Sequence, residues 1–370
     1  MKKSSKALWL IIFCIFFLAP QILYLFLGKY VDDANSEKRE LAEMPQLSLT
    51  TVRQYPIQFD TYYNDTLPFR NQIIQLNSLI DYYGFHESPV SKVICGENNW
   101  LFYNPKGDDG DPIGDLTGGT FCTEEELEKM VQNLVQTRDY LATQGREFVI
   151  MINPNKESIY GGQYLPEIYG ADYNYTKADQ VVSYLKAHSD IKVVYPKEDI
   201  QKAMKEFPEY EFYFSTDTHW NELGAYVGTK SLLKELGCEM PVLDSEKIKH
   251  EKSEKGGDLA NMMGLASHIM EDFSYDIEHT VSATVENISN PAFDEHRFVS
   301  DSENKRKLLI IRDSFGNAMA PYIGGYFSET YMPHRIDYSP SMIQEENPDI
   351  VVYEVVERYV DNLLTFSAVQ

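Results

Sequence analysis

Three apolar runs, broken only by Glu354 near the end of the third, constrain the fold of this chain more than any other feature. Phe148 to Ile152, Leu308 to Ile311 and Ile350 to Val355 lack the polar alternation of a half-exposed strand. Such runs suit strands buried on both faces of a parallel sheet. Parallel neighbours need crossover connections, usually helices, and helical patterns lie beside these runs. Thr123 and Glu126 predict a capping box opening a helix whose Leu127, Met130, Val131, Leu134 and Val135 recur at helical spacing, ending near Gly145. Thr176 to His188 and Glu198 to Lys205 read as further helices, and Val193 to Tyr195 as a short strand. The alternation predicts a three-layer α/β/α fold around a central, mostly parallel sheet, with ligands at the carboxyl ends of the strands.

Ahead of this α/β region runs a nearly unbroken apolar stretch of 21 residues, Ala7 to Leu27, preceded by Lys2, Lys3 and Lys6. It is long enough to cross a bilayer with its basic end inside, which would place everything after it outside. A cleaved signal peptide is the competing reading. The run shows no clear small-x-small site before its polar flank, so a retained single-pass anchor in the cell membrane is expected. The organisation that follows is a cytoplasmic stub and transmembrane signal anchor over 1–28, a membrane-proximal lead-in with short helices over 29–90, including Gln72 to Tyr83, and an α/β domain over 91–370. A stretch from about 241 to 307 interrupts the alternation with the charge run Glu246 to Lys255 and then Gly256-Gly257-Asp258. It reads either as solvated surface or as an insertion overhanging the pocket.

The net charge of −24 argues against a nucleic-acid or anionic-lipid partner, whose phosphates would be repelled. A neutral polymer suffers no such penalty. Cys14 lies in the apolar run, leaving Cys95, Cys122 and Cys238, an odd number without metal-ligand spacing. A Cys95–Cys122 disulfide and isolated buried thiols both remain open. The histidines outside the motif described next are scattered, so no metal and no cofactor are expected.

Two short motifs carry the chemistry. Asp217-Thr218-His219-Trp220 supplies a carboxylate and an imidazole, and Arg312-Asp313-Ser314-Phe315-Gly316 follows one of the apolar runs. A serine hydroxyl is a poor nucleophile until a neighbouring imidazole takes its proton. The imidazole in turn needs an anion on its other nitrogen to fix the tautomer and stabilise the imidazolium. Asp217, His219 and Ser314 fit those roles, with the first two on a loop, because helical spacing would part them. Ser314 falls at a strand-to-helix turn. A helix from about Gly316 to Tyr322 would aim its free N–H groups at developing negative charge, with the backbone N–H of Ser314 and of a following residue as oxyanion donors and Asn317 as a side-chain candidate. Each motif also has a plain structural reading, Asp217 and Ser314 both being good helix caps. Trp220 beside the pair is a candidate for the site wall. Pro154-Asn155-Lys156, just past the first apolar run, makes Asn155 and Lys156 candidates too, although Pro and Asn equally mark a turn.

With these motifs in place, the chain resembles the SGNH-hydrolase-like proteins of the alginate O-acetylation type and their Gram-positive relatives, the DHHW proteins. The likeness also rests on Glu37-Lys38-Arg39-Glu40-Leu41 followed by Pro45, Asp65-Thr66-Leu67-Pro68-Phe69-Arg70, Trp100-Leu101-Phe102-Tyr103, Pro154-Asn155-Lys156 and His334-Arg335-Ile336-Asp337-Tyr338. It spans most of the chain. The resemblance implies an SGNH-hydrolase-like fold and a catalytic triad on Asp217, His219 and Ser314, in a permuted order with Asp-x-His first. Thr218 stands where many Gram-positive members have a second histidine, and Arg312 where SGNH enzymes usually have glycine. It further implies an extracytoplasmic O-acyltransferase, with acetyl the expected group. Hydroxyls of a polysaccharide acceptor would be modified through an acyl-serine, with acyl groups supplied by a membrane-bound O-acyltransferase partner. A carbohydrate esterase with the same three residues, and a non-catalytic scaffold of a polysaccharide export complex, are the alternatives.

Overall fold

The computed structural model describes residues 2–30, 40–107, 109–169, 175–269 and 272–369. Glu37, Lys38 and Arg39 of the first quoted motif lie outside them. The chain folds as two units, Met1–Pro89 and Val90–Gln370. In the first, the helix Lys2–Leu27 carries the apolar run. Its stretch Ala7–Tyr30, of mean hydropathy 2.6, is the one helical segment among the described residues long and apolar enough to cross a membrane. Two shorter helices follow, Tyr55–Asp65 and Arg70–Ile80, the second running on into a wider turn over Asp81–Phe85.

Among the described residues the second unit contains eleven strands: β1 Val93–Cys95, β2 Leu101–Tyr103, β3 Glu147–Asn153, β4 Lys192–Val194, β5 Ile248–Lys252, β6 Phe273–Ile277, β7 Val285–Asn287, β8 Glu295–Ser300, β9 Lys307–Ile311, β10 Glu329–Pro333 and β11 Ile350–Val356. Seven of them form the central sheet in the order β4-β3-β11-β9-β10-β8-β7. The first five in that order are parallel, and β8 and β7 extend one edge in antiparallel pairing. The three apolar runs are thus adjacent strands, Val352 pairing with Val149 on one side and Ile310 on the other.

Alternate residues of these strands enter two separate cores, which is why the runs have no polar face. Val149, Met151, Ile310 and Val352 pack with Trp220, Phe315 and residues of the helices Lys197–Glu206 and Glu222–Glu235. Phe148, Ile150, Ile152, Leu309, Ile311 and Val351 pack instead with the helices Glu124–Thr143 and Lys177–His188. The result is the three-layer, mostly parallel α/β arrangement. Thr123 caps the first of the latter helices through both halves of a capping box with Glu126, and Thr176 does the same with Asp179 for the second.

One expected element differs. In place of an α-helix from about Gly316 to Tyr322, a tight 3-10 helix spans Ser314–Met319 and a short α-turn follows over Ala320–Ile323. Pro321 has no N–H to donate to Asn317, so the α-helical bond at that step cannot form and the tighter winding precedes it. Cys95, Cys122 and Cys238 are free thiols.

Candidate active site

Two loops at the carboxyl end of the sheet build the site. The first, Ser215 to His219, is pinched off by an antiparallel bridge between Tyr213 and Trp220. It ends where Asn221 caps the helix Glu222–Glu235 by accepting the N–H groups of Leu223 at 3.0 Å and Gly224 at 3.2 Å. Asp217 is therefore free of any capping duty on that helix. Its Oδ1 lies 2.6 Å from His219 Nδ1 and accepts the His219 backbone N–H at 3.0 Å, a ring closed by the one-residue spacing.

The second loop follows β9. Asp313 accepts the Phe315 N–H on Oδ1 at 2.9 Å and the Val356 N–H on Oδ2 at 2.7 Å, fastening the turn to the end of β11. This presents Ser314 Oγ 2.8 Å from His219 Nε2. With the Nδ1 proton directed at Asp217, Nε2 is the acceptor of the serine proton. The three sequence candidates thus lie in one hydrogen-bonded line. Among the described residues the Ser314 N–H has no internal acceptor, whereas the Phe315 N–H, a natural second oxyanion donor from sequence, is taken by Asp313.

Electrostatics match the geometry. Burial alone would raise the Asp217 carboxyl, but its bonds with His219 and the N–H of Asp258 hold it down at about 2. Burial would depress the His219 imidazole; the bond and charge of Asp217, then the charge of Asp258, raise it above its ordinary value, with Arg358 opposing. A permanently ionised acid beside an imidazole of increased basicity is the arrangement that favours proton uptake from serine.

The four residues expected from sequence to line the site make the following contacts. Lys156 is fully buried, and its Nζ donates to the backbone carbonyls of Phe214 at 3.2 Å, Ser215 at 3.2 Å and Asp217 at 2.5 Å. It is a strut under the Asp217 loop, because all three ammonium N–H groups are used. Asn155 is buried, its backbone N–H bonded to Glu357 Oε2 at 2.8 Å. Trp220 is buried too, and donates from Nε1 to the Phe315 carbonyl at 3.1 Å, tying the two loops together. Asn317 is exposed, with Oδ1 2.8 Å from His296 Nε2.

The stretch read from sequence either as solvated surface or as an insertion overhanging the pocket supplies two acids to the Asp217 loop that sequence reasoning did not single out. Asp272 accepts from Ser215 Oγ and the Thr216 N–H, both at 3.0 Å. Asp258 accepts the Thr218 N–H at 2.8 Å and the Thr218 hydroxyl at 2.6 Å. Gly257 lies against Asp217 so closely that an added Cβ would sit 2.3 Å from the Asp217 Cβ. That adjacent glycine pair before an aspartate was the one available signal. Asp217, His219 and Asp258 also place one potential ligand atom each within 4.8 Å of one another, but the hydrogen bonds above already engage those atoms.

The model of the SGNH hydrolase-like domain of the acetyltransferase AlgX matches residues 93–297, more than half of the chain and including Asp217 and His219. No curated protein sequence matches. Among solved structures, Bacillus cereus PatB1 aligns with a TM-score of 0.53 at 18% identity, over 73% of this chain and 96% of that one. The same protein with a sulfonyl adduct aligns at 0.52 and 16%, over 74% and 99%. A DHHW family protein from Eubacterium siraeum aligns at 0.51 and 18%, over 75% and 99%. These likenesses carry the fold, and the family match goes further: the chain belongs to the AlgX family of SGNH hydrolase-like acetyltransferase domains.

Proposed function

We propose that the protein is an extracytoplasmic O-acetyltransferase that modifies hydroxyls of a cell-surface or exported polysaccharide through an acetyl-Ser314 intermediate. The observation that carries this reading is the unbroken line from Asp217 through His219 to Ser314, at 2.6 and 2.8 Å. His219 Nε2 takes the Ser314 proton as Oγ attacks the acyl carbonyl carbon. The Ser314 N–H faces the resulting oxyanion. Collapse expels the donor's leaving group, which receives the proton from His219. The imidazole then takes the proton of an acceptor hydroxyl as that oxygen attacks the acyl-serine, and returns a proton to Oγ when the ester departs.

Family membership supports the acceptor class, and the net charge of −24 disfavours a phosphate-rich partner. The apolar helix Lys2–Leu27 supports an anchored, single-pass placement with the α/β unit outside. That placement suits acyl delivery by a membrane-bound O-acyltransferase. The alternative of a non-catalytic scaffold gives no reason for the three groups to be aligned.

The test is intact-mass and peptide-mapping analysis of the full-length protein in detergent after exposure to an activated acetyl ester. Acetyl on Ser314, absent in Ser314→Ala, is the expected result. No adduct on the wild-type protein, or an adduct that survives the substitution, overturns the reading. Faster loss of the acetyl group on adding an oligosaccharide identifies a transferase, and loss to water alone an esterase.

A further inference from the structure

His219 faces a second carboxylate. Asp258 opens the short helix Asp258–Met262, 40 residues beyond Thr218 in the chain, yet its Oδ2 lies 3.9 Å from His219 Nδ1. Both of its oxygens accept hydrogen bonds from Thr218, Oδ1 from the N–H and Oδ2 from the hydroxyl, which is the demand of an ionised carboxylate. Its own N–H donates to Asp217 Oδ2 at 2.8 Å, leaving Asp217 Oδ1 to the histidine. The contact is enforced from behind, since Gly257 has no room for a side chain against Asp217.

We propose that Asp258 is a positioning residue of this site, holding Thr218 in place and adding a second negative charge that stabilises the His219 imidazolium. The proposal rests on the acyl-transfer reading above. Two acids so close to one imidazole share the work: Asp217 fixes the ring and its tautomer, and Asp258 sets the field around it without bonding to it. The groups facing His219 are Asp217, Asp258, Ser314, the Thr218 hydroxyl at 3.2 Å from Nδ1 and, from beyond β11, Arg358, whose positive charge opposes the two acids. Those facing Asp258 are Asp217 and His219, with the buried Lys156 ammonium also coupled to it from the helix Lys156–Tyr164. Burial and the charge of Asp217 raise the Asp258 carboxyl, and the Thr218 bonds oppose that rise.

The experiment follows the labelling rate of Ser314 in the full-length protein by phenylmethanesulfonyl fluoride, read by mass across the imidazole titration range. Ser314 Oγ bonds to sulfur, fluoride leaves, and His219 takes the hydroxyl proton. In Asp258→Asn the plateau rate falls and the acid limb moves to lower pH by about one pH unit, because the imidazolium loses a neighbouring anion. Asp258→Glu, which restores the charge, brings the limb back towards its wild-type position. Thr218→Val leaves both acids in place, slows labelling and moves the limb less than Asp258→Asn does, since only the hydroxyl bond that opposes the rise of the Asp258 carboxyl is lost. An Asp258→Asn limb at the wild-type pH, or a Thr218→Val limb that moves as far, overturns the electrostatic role. A wild-type protein unlabelled at Ser314 overturns the acyl-transfer reading itself, and the inference with it.

Discussion

Lys156 carries an ammonium group into a place with no access to water. Desolvation there lowers its proton affinity, while Glu157, Asp272, Asp217 and Asp258 oppose the loss, and the three carbonyls it binds belong to the loop that aims Asp217. Lys156→Met fills the space with a chain of similar length but leaves those carbonyls without a donor. It is expected to cost about 2 kcal/mol or more and to slow Ser314 acetylation, measured by denaturant unfolding and by adduct formation. Unchanged stability would place the support of the loop elsewhere. Asp217, His219 and Ser314 were legible in the sequence because the chemistry demands those types. Lys156 was legible only as a neighbour: a lysine beside a strand end reads as a ligand contact until its burial is known. Asp258 was hidden for the opposite reason, standing at the end of a charge run that looks like solvated surface.

Secondary structure followed the sequence where period and caps agreed, as in Glu124–Thr143 with its Thr123 cap. It departed at Ser314–Met319, where one missing N–H at Pro321 outweighs the helical pattern. The helix Glu222–Glu235 holds a subtler feature. Gly228 underlies the Trp220 ring, and a Cβ there would lie 2.6 Å from two ring carbons. In an ordinary helix interior, glycine to alanine stabilises by about 1 kcal/mol. Here the sign reverses, because the indole is locked by its bond to the Phe315 carbonyl and cannot retreat. Gly228→Ala is expected to destabilise by about 1–3 kcal/mol and to slow Ser314 labelling by prising the two loops apart. A raised unfolding midpoint in this variant would contradict the packing argument.

Across the whole molecule, buried acids set the response to pH. Burial pushes the Asp115 carboxyl up to about 7, and burial with the charge of Asp272 does the same for Glu211. Folded, these groups hold a proton through a range where the unfolded chain releases it, so stability rises as pH falls from about 8 to about 5. His219 acts in the same direction, its contribution being present below the ordinary imidazole value and lost as pH rises through its raised one. His279 and His334, depressed by burial, act against it. Asp217, held at about 2, contributes above the ordinary carboxylate value and is lost only in strong acid. The melting temperature is therefore expected to be higher at about pH 5 than at about pH 8, and equal or lower values at the acid end would refute this balance. None of this was visible in composition, because a count of acids does not say which are buried.

The strand β11 is the middle one of the five parallel strands although it is the last strand in the sequence among the described residues, and its terminal Val356 N–H grips Asp313 beside the nucleophile. A ribosome-bound chain that already carries the Asp217 loop and Ser314 still has no anchored turn until β11 has emerged and slotted between β3 and β9. The serine turn is therefore anchored only late in synthesis, and a partly made chain has no assembled line from Asp217 to Ser314.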